Sequence, residues 1–143
     1  MLIGEFKHSL DQKGRISIPA KFRQKFAEGL ILTRGIDQCV FGFSKTEWEK
    51  VVNKITNLPL SQSNARAFAR LMLSGAFEAE IDNQGRVLIP EILRKYANLE
   101  KKVVIVGMYN RIEIWDENKW EEYKKQSEES SEEIAERLSD LGI

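Results

Sequence analysis

Apolar and polar positions in the first twenty residues fall into two short extended runs, Glu5 to Leu10 and Arg15 to Ile18, separated by the polar stretch Asp11-Gln12-Lys13-Gly14. Two such runs around a turn glycine are a hairpin signature. Pro19 then changes the period. Proline suits the first turn of a helix, where its missing N–H is not needed, and Phe22 and Phe26 follow four residues apart on one face. Ala20 to Ala27 is therefore predicted as a short amphipathic helix, ended by Gly29. Leu30 to Thr33 and Gln38 to Phe43 read as a second strand pair around Arg34-Gly35-Ile36-Asp37. Ser44 is placed as the N-cap of a helix carrying Trp48, Val51, Val52 and Ile55.

The same order is then written again. Asp11-Gln12-Lys13-Gly14-Arg15-Ile16-Ser17-Ile18-Pro19 returns as Asp82-Asn83-Gln84-Gly85-Arg86-Val87-Leu88-Ile89-Pro90, at an offset of 71, and Arg23 returns as Arg94. After a one-residue insertion Phe43 and Trp48 return as Trp115 and Trp120. The second copy runs from Ala76 to about Tyr123, with a later strand pair, Val103 to Gly107 and Arg111 to Trp115, around Met108-Tyr109-Asn110. A supersecondary unit of roughly 45 residues rarely buries enough apolar surface alone, so the two copies are expected to share one core. Between them Ala65, Phe68, Ala69 and Met72 keep helical spacing and Gly75 supplies a stop, which makes Ser61 to Ser74 a helical connector. From Ser127 to Ile143 the chain is acidic. Ser130 with Glu133 forms a capping-box pattern and Ile134, Leu138 and Leu141 mark one thin apolar stripe, so a solvated helix is expected there. The expected divisions are a first repeat over 5–48, a connector over 49–75, a second repeat over 76–120 and an acidic helix over 121–143.

Composition narrows the function classes. The chain has 143 residues, the size of one compact domain or two small fused halves. The start lacks a basic region followed by a long apolar run, and no stretch has the apolar length of a membrane span, so the expected location is the cytoplasm. Cys39 is the single cysteine; it excludes an internal disulfide and a cysteine-based metal cage, and beside Val40 and Phe41 it reads as core. The zero net charge conceals an asymmetry. Residues 1–71 carry 12 Lys and Arg against 6 Asp and Glu, and residues 72–143 carry 10 against 16, so the halves are +6 and −6. A polyanion responds to a local patch rather than to the total, although oppositely charged halves also attract one another.

The repeated turn carries the candidate chemistry. In Asp-x-x-Gly-Arg the carboxylate can accept from the backbone amides of the turn and glycine admits a positive φ, which makes Asp11, Gly14, Asp82 and Gly85 the turn-forming set. Arginine presents a permanently charged planar fork that matches phosphate oxygens or the O6 and N7 acceptors of guanine. Two readings of Arg15 and Arg86 follow: each staples its own turn through Asp11 or Asp82, or the two are presented together as prongs for a nucleic-acid groove. His8 alone cannot build a metal site, and Trp48 and Trp120 at helical spacing read as core anchors. Arg66 and Arg70 share one edge of the connector and suit either solvent or the acidic groups of an adjacent subunit. No nucleophile with its base, metal cluster or phosphate loop is present, so no catalytic residue, metal or cofactor is assigned.

The motif Asp-x-x-Gly-Arg-(apolar)-x-Ile-Pro, with an arginine four residues after the proline, resembles the swapped-hairpin DNA-binding domain of the AbrB and SpoVT transition-state regulators. Two fused copies joined by a helix such as Asn64-Ala65-Arg66-Ala67-Phe68-Ala69-Arg70 look like the MraZ family, and the likeness runs from Gly4-Glu5 through Arg111-Ile112-Glu113-Ile114-Trp115. That resemblance implies an α+β fold with a mostly β core, in which the two copies interlock their hairpins into a pseudo-twofold barrel with peripheral helices. It also implies a ring of subunits whose loop arginines bind tandem short repeats in a promoter of division and cell-wall genes. The implied partners are double-stranded DNA and further copies of the chain, with no membrane, no small-molecule substrate and a nucleoid-associated location. Aligning the copies sets Lys7 against Glu78, Ser9 against Glu80, Lys13 against Gln84 and Lys21 against Ile92. The first copy is the cationic one. Lys7, Lys13 and Arg15 are thus expected to carry more of the binding energy than their counterparts, with Lys21 among the DNA-binding residues, and Gln84 and Arg86 to contribute to readout. The alternative of another class is an antitoxin-like or scaffolding module of the same fold, holding a protein partner through its acidic C-terminal arm.

Overall fold

Pro19 and Pro90 stand at equivalent places, each with the φ that proline fixes (−50° and −55°), and each ends an extended segment and precedes a helix. A computed structural model describes residues 1–143. The first copy holds β1 (Leu2–Ser9), β2 (Arg15–Ser17), α1 (Ala20–Arg23) continuing as a 3-10 turn over Gln24–Phe26, β3 (Leu30–Arg34), β4 (Val40–Ser44) and α2 (Lys45–Thr56). The connector is α3 (Ser63–Ser74). The second copy holds β5 (Phe77–Ala79), β6 (Arg86–Leu88), α4 (Glu91–Tyr96), β7 (Lys102–Tyr109), β8 (Ile112–Asp116) and α5 (Glu117–Glu129). α6 (Ser131–Arg137) and a 3-10 turn over Ser139–Leu141 end the chain. Ser44 and Asp116 close equivalent strands and cap the helices that follow, accepting from the amides of Glu47 (3.3 Å) and Lys119 (3.4 Å).

The fold is α+β, built on a six-stranded antiparallel sheet in the order β1-β7-β8-β4-β3-β5 with a separate two-stranded ribbon of β2 and β6. Only β3 with β4 and β7 with β8 pair inside one copy; β1 with β7, β4 with β8, β3 with β5 and β2 with β6 all join the two. This corrects the expected local hairpin. The turn between β1 and β2 closes on itself, but its arms diverge to partners in the second copy, β1 along eight pairs with β7 and β2 along three with β6. A closed barrel does not form either. β2 and β6 spend their pairing on one another and on the turn glycines, with Ile18 donating to Gly85 and Ile89 to Gly14, so nothing joins edge strands β1 and β5.

Alternation along the strands sends apolar side chains to both faces of the sheet. One face carries Leu30, Leu32, Val40, Val103, Ile105, Ile112 and Ile114, packed with Ile16, Ile18, Phe22, Phe26, Val87, Ile89 and Leu93 from the ribbon and the short helices. Both copies therefore contribute to one core. Phe6 meets Phe22 edge-on there, with ring centroids 5.1 Å apart. The opposite face carries Cys39, Phe41, Phe43, Val104, Val106 and Trp115, covered by Ile55 of α2 and Met72 of α3. Trp48 and Trp120 pack on that second cluster, 5.6 Å from Phe43 and 5.3 Å from Trp115, and burial raises the pKa of the Cys39 thiol.

The acidic end differs from the expected capped helix. Ser130 sits between α5 and α6 at φ −106° and ψ 13°, its amide still bonded to Gln126, and its side chain caps nothing. An N-cap serine needs extended backbone to aim its oxygen at the next turn, and this near-helical kink withholds it. No helix is long and apolar enough to cross a membrane.

Candidate nucleic-acid interface

Each repeated turn is held by one carboxylate doing three things. Asp11 Oδ1 accepts from the amides of Lys13 and Arg15, both at 2.9 Å, while Oδ2 accepts from Arg15 Nε at 2.7 Å. Asp82 repeats the pattern with Gln84 and Arg86 amides at 2.9 Å and Arg86 Nε at 3.1 Å. Main-chain bonds close both turns, Gly14 to Asp11 at 3.0 Å and Gly85 to Asp82 at 2.9 Å, with the glycines at φ +84° and +79°. The Arg15 amide, more than any other group, holds the Asp11 carboxyl down to a pKa of about 2, and the Arg86 amide lowers that of Asp82. Both carboxylates are engaged in holding their turns.

Stapling its turn engages only part of each arginine. Nε of each is spent on its turn, yet the terminal Nη1 and Nη2 of both make no hydrogen bond within the chain, and the side chains are 28% and 29% exposed. Their direction follows from register. Arg15 faces Leu88, Ile16 faces Val87 and Ser17 faces Arg86, with the middle pair turned into the core. Arg15, Ser17, Arg86 and Leu88 therefore share the outer face of the ribbon, the two arginines on a diagonal about 7–8 Å long between their α-carbons. Leu88, 52% exposed on that face, was not among the expected site residues; the alternation of buried Ile16, Ile18, Val87 and Ile89 around the turns was the signal that would have placed it.

The remaining expected residues divide. Lys13 and Gln84 are exposed at the tips of their turns. Lys21 follows Pro19 on α1, its Nζ 4.8 Å above the Phe6 ring, a cation–π contact on the same core that supports the ribbon. Lys7 is not brought to this face. It alternates with the core-facing Phe6 and lies 3.7 Å from Glu117 at the start of α5, on the side of the sheet where Glu5 meets Lys124 and Trp120. His8 is half-buried in β1, its pKa lowered first by burial and then by the charge of Arg23. Arg66 bonds the Leu60 carbonyl of its own chain.

A second arginine pair lies behind the turns. Arg94 packs against Gly14 and Arg23 against Gly85, so each turn is backed by a side chain of the other copy. Clefts beside the two turns differ in charge: Asp11, Glu91 and Glu100 meet Arg94, Lys95 and Lys101 in the first, whereas Glu28, Glu80 and Asp82 meet Arg23 alone in the second. The recurrence of Arg23 as Arg94 signalled this pair in the sequence, but not its crossing between copies.

The family described as "MraZ protein, putative antitoxin-like" matches twice, over residues 1–71 and 72–141. Curated relatives named transcriptional regulator MraZ are 51% identical in Natranaerobius thermophilus, 51% in Halothermothrix orenii and 50% in Caldicellulosiruptor saccharolyticus, each over 143 residues and the full length of both chains. With the doubled Asp-x-x-Gly-Arg turn, the crossed strand pairing and full-length likeness in hand, the chain belongs to the MraZ family.

Proposed function

We propose that this chain is a cytoplasmic, nucleoid-associated transcription regulator that binds double-stranded DNA through Arg15 and Arg86. The observation that carries the reading is the pair of arginines on one outer face, each fixed through Nε and each offering an unengaged terminal fork. Such forks bind phosphate or guanine in two parallel bonds. Subunits assemble into a ring through the remaining surface, so that equivalent loop faces meet short boxes repeated in tandem ahead of division and cell-wall genes. A ring of identical faces matches direct repeats better than one palindrome. Nuclease footprinting of DNA immediately upstream of the chain's own gene tests this. Several equally spaced protected boxes are expected; a single symmetric footprint, or none, overturns it.

The relatives' printed name, transcriptional regulator, supports this reading. An antitoxin-like role is named in the family description, but an arm that wraps a protein partner is typically disordered when free. Here the acidic stretch is helical through Arg137, which favours the DNA reading.

The two loops contribute unequally. Lys13 tips the first, beside a cleft whose three acidic and three basic side chains balance, while Gln84 tips the second, beside a cleft where Glu28, Glu80 and Asp82 outnumber Arg23. Lys13→Gln is expected to weaken binding to all sequences alike and to reduce the slope of log affinity against log salt by roughly one. Gln84→Ala is expected to leave that slope unchanged and to relax sequence preference. A salt titration of both variants on cognate and unrelated duplexes reads the difference.

A further inference from the structure

Gly14 and Gly85 are buried although each belongs to an exposed turn. Positive φ explains why glycine stands there, but not what covers it. A Cβ built on Gly14 would lie 2.7 Å from Cζ and 2.8 Å from Nη1 of Arg94; one built on Gly85 would lie 2.6 Å from Nη2 of Arg23 and closer still to its Cζ. In both turns the space a side chain would need is filled by a guanidinium from the opposite copy.

The main chain makes the same crossing. Ile89 N donates to Gly14 O at 2.9 Å and Ile18 N to Gly85 O at 2.8 Å. Arg23 Nε donates to the Ile18 carbonyl at 2.9 Å, which fixes the guanidinium to the strand that holds the Gly85 turn. Arg94 Nε is buried with no partner. An unsatisfied buried donor is costly, so polar bonding at Nε does not account for where Arg94 lies; the packing of its plane on the Gly14 turn does.

We infer that Arg94 is the positioning residue for Arg15, and Arg23 for Arg86: each copy sets the prong of the other. The consequence for DNA rests on the function proposed above; the mechanical coupling does not. Because the turn glycine, the arginine and the crossing amide form one unit, neither prong can be displaced without disturbing the other copy's helix start, which holds the two forks in one fixed relation.

Amide exchange of the full-length protein tests the coupling without DNA. Arg94→Ala is expected to speed exchange at Lys13 and Arg15 about tenfold while leaving Gln84 and Arg86 unchanged, and Arg23→Ala to do the reverse. Arg94→Lys keeps the charge but not the plane, and is expected to behave like Arg94→Ala. Gly14→Ala is expected to lower Tm less in an Arg94→Ala background than in the native chain, because the collision is gone while the φ strain remains. Faster exchange in the variant's own copy alone, full rescue by lysine, or strictly additive Tm changes would overturn the inference. With duplex from upstream of the gene, Arg94→Ala is expected to weaken binding at an unchanged salt slope. A slope lower by about one would make Arg94 a phosphate contact instead and sink the positioning role. A native protein that binds no duplex would refute the proposed function, while the exchange and Gly14 results still decide the coupling.

Discussion

Arg15→Ala protein is expected to lose the greater part of its sequence-specific DNA binding, with the dissociation constant for its upstream repeats raised about 10- to 100-fold. The size follows from what the fork does. A bidentate contact from a fixed arginine supplies both charge and geometry, and truncation removes both while leaving a phosphate or base edge unpartnered. Arg86→Ala is expected to cost less, because its loop carries Gln84 where the first carries Lys13, and its adjoining cleft holds Glu28 and Glu80. Arg15→Lys separates charge from fork: it retains non-specific affinity and loses discrimination between cognate and unrelated duplexes. The fold is not the explanation for these losses. Asp11 still accepts from the Lys13 and residue-15 amides after the side chain is removed, so the turn survives and the thermal midpoint stays nearly where it was. Undiminished protection by Arg15→Ala protein would show that another face meets the duplex.

The residues of this candidate interface differ in how openly the sequence declares them. Asp11, Gly14 and Arg15 recur in register as Asp82, Gly85 and Arg86, and an Asp-x-x-Gly turn has one economical way to satisfy its amides, so the local geometry could be read directly. Helix starts after Ser44, Pro19 and Pro90 were equally legible because caps and prolines act within a few residues. Pairing was not. Nothing in an extended run such as Glu5 to Leu10 states whether its partner is the neighbouring run or one about a hundred residues away, as in Glu5 with Val106 and Ser9 with Lys102, because strand alternation is the same for both. The crossed pairing and the open sheet thus lay beyond pattern reading, and with them the contact of Arg94 on Gly14. Lys7 shows the same limit: alternation placed its side chain opposite Phe6, and only the position of α5 fixed what that other face meets. At Ser130 the capping pattern was present, but the kink's backbone overrode it.

Phe22→Ala is expected to cost about 3–5 kcal/mol, a large share of the ~5–15 kcal/mol that holds a typical domain together. Phe22 is fully buried on α1, edge-on to Phe6 of β1, in a cluster that also contains Val87, Ile89 and Leu93 of the second copy. Leu93, its counterpart by the 71-residue offset, lies in the same cluster, so the two copies close over one interior rather than two. A cavity opened in that interior therefore weakens both. In urea titrations at fixed protein concentration, the variant's midpoint is expected to fall while far-ultraviolet dichroism and tryptophan fluorescence continue to report one coincident transition. The tryptophans make this decisive, because Trp48 belongs to the first copy and Trp115 and Trp120 to the second. A plateau in which one copy's signal is lost before the other's would mean that the repeats have separate cores. The rigid relation between Arg15 and Arg86, which depends on that shared interior through Ile16 and Val87, would then have no structural basis.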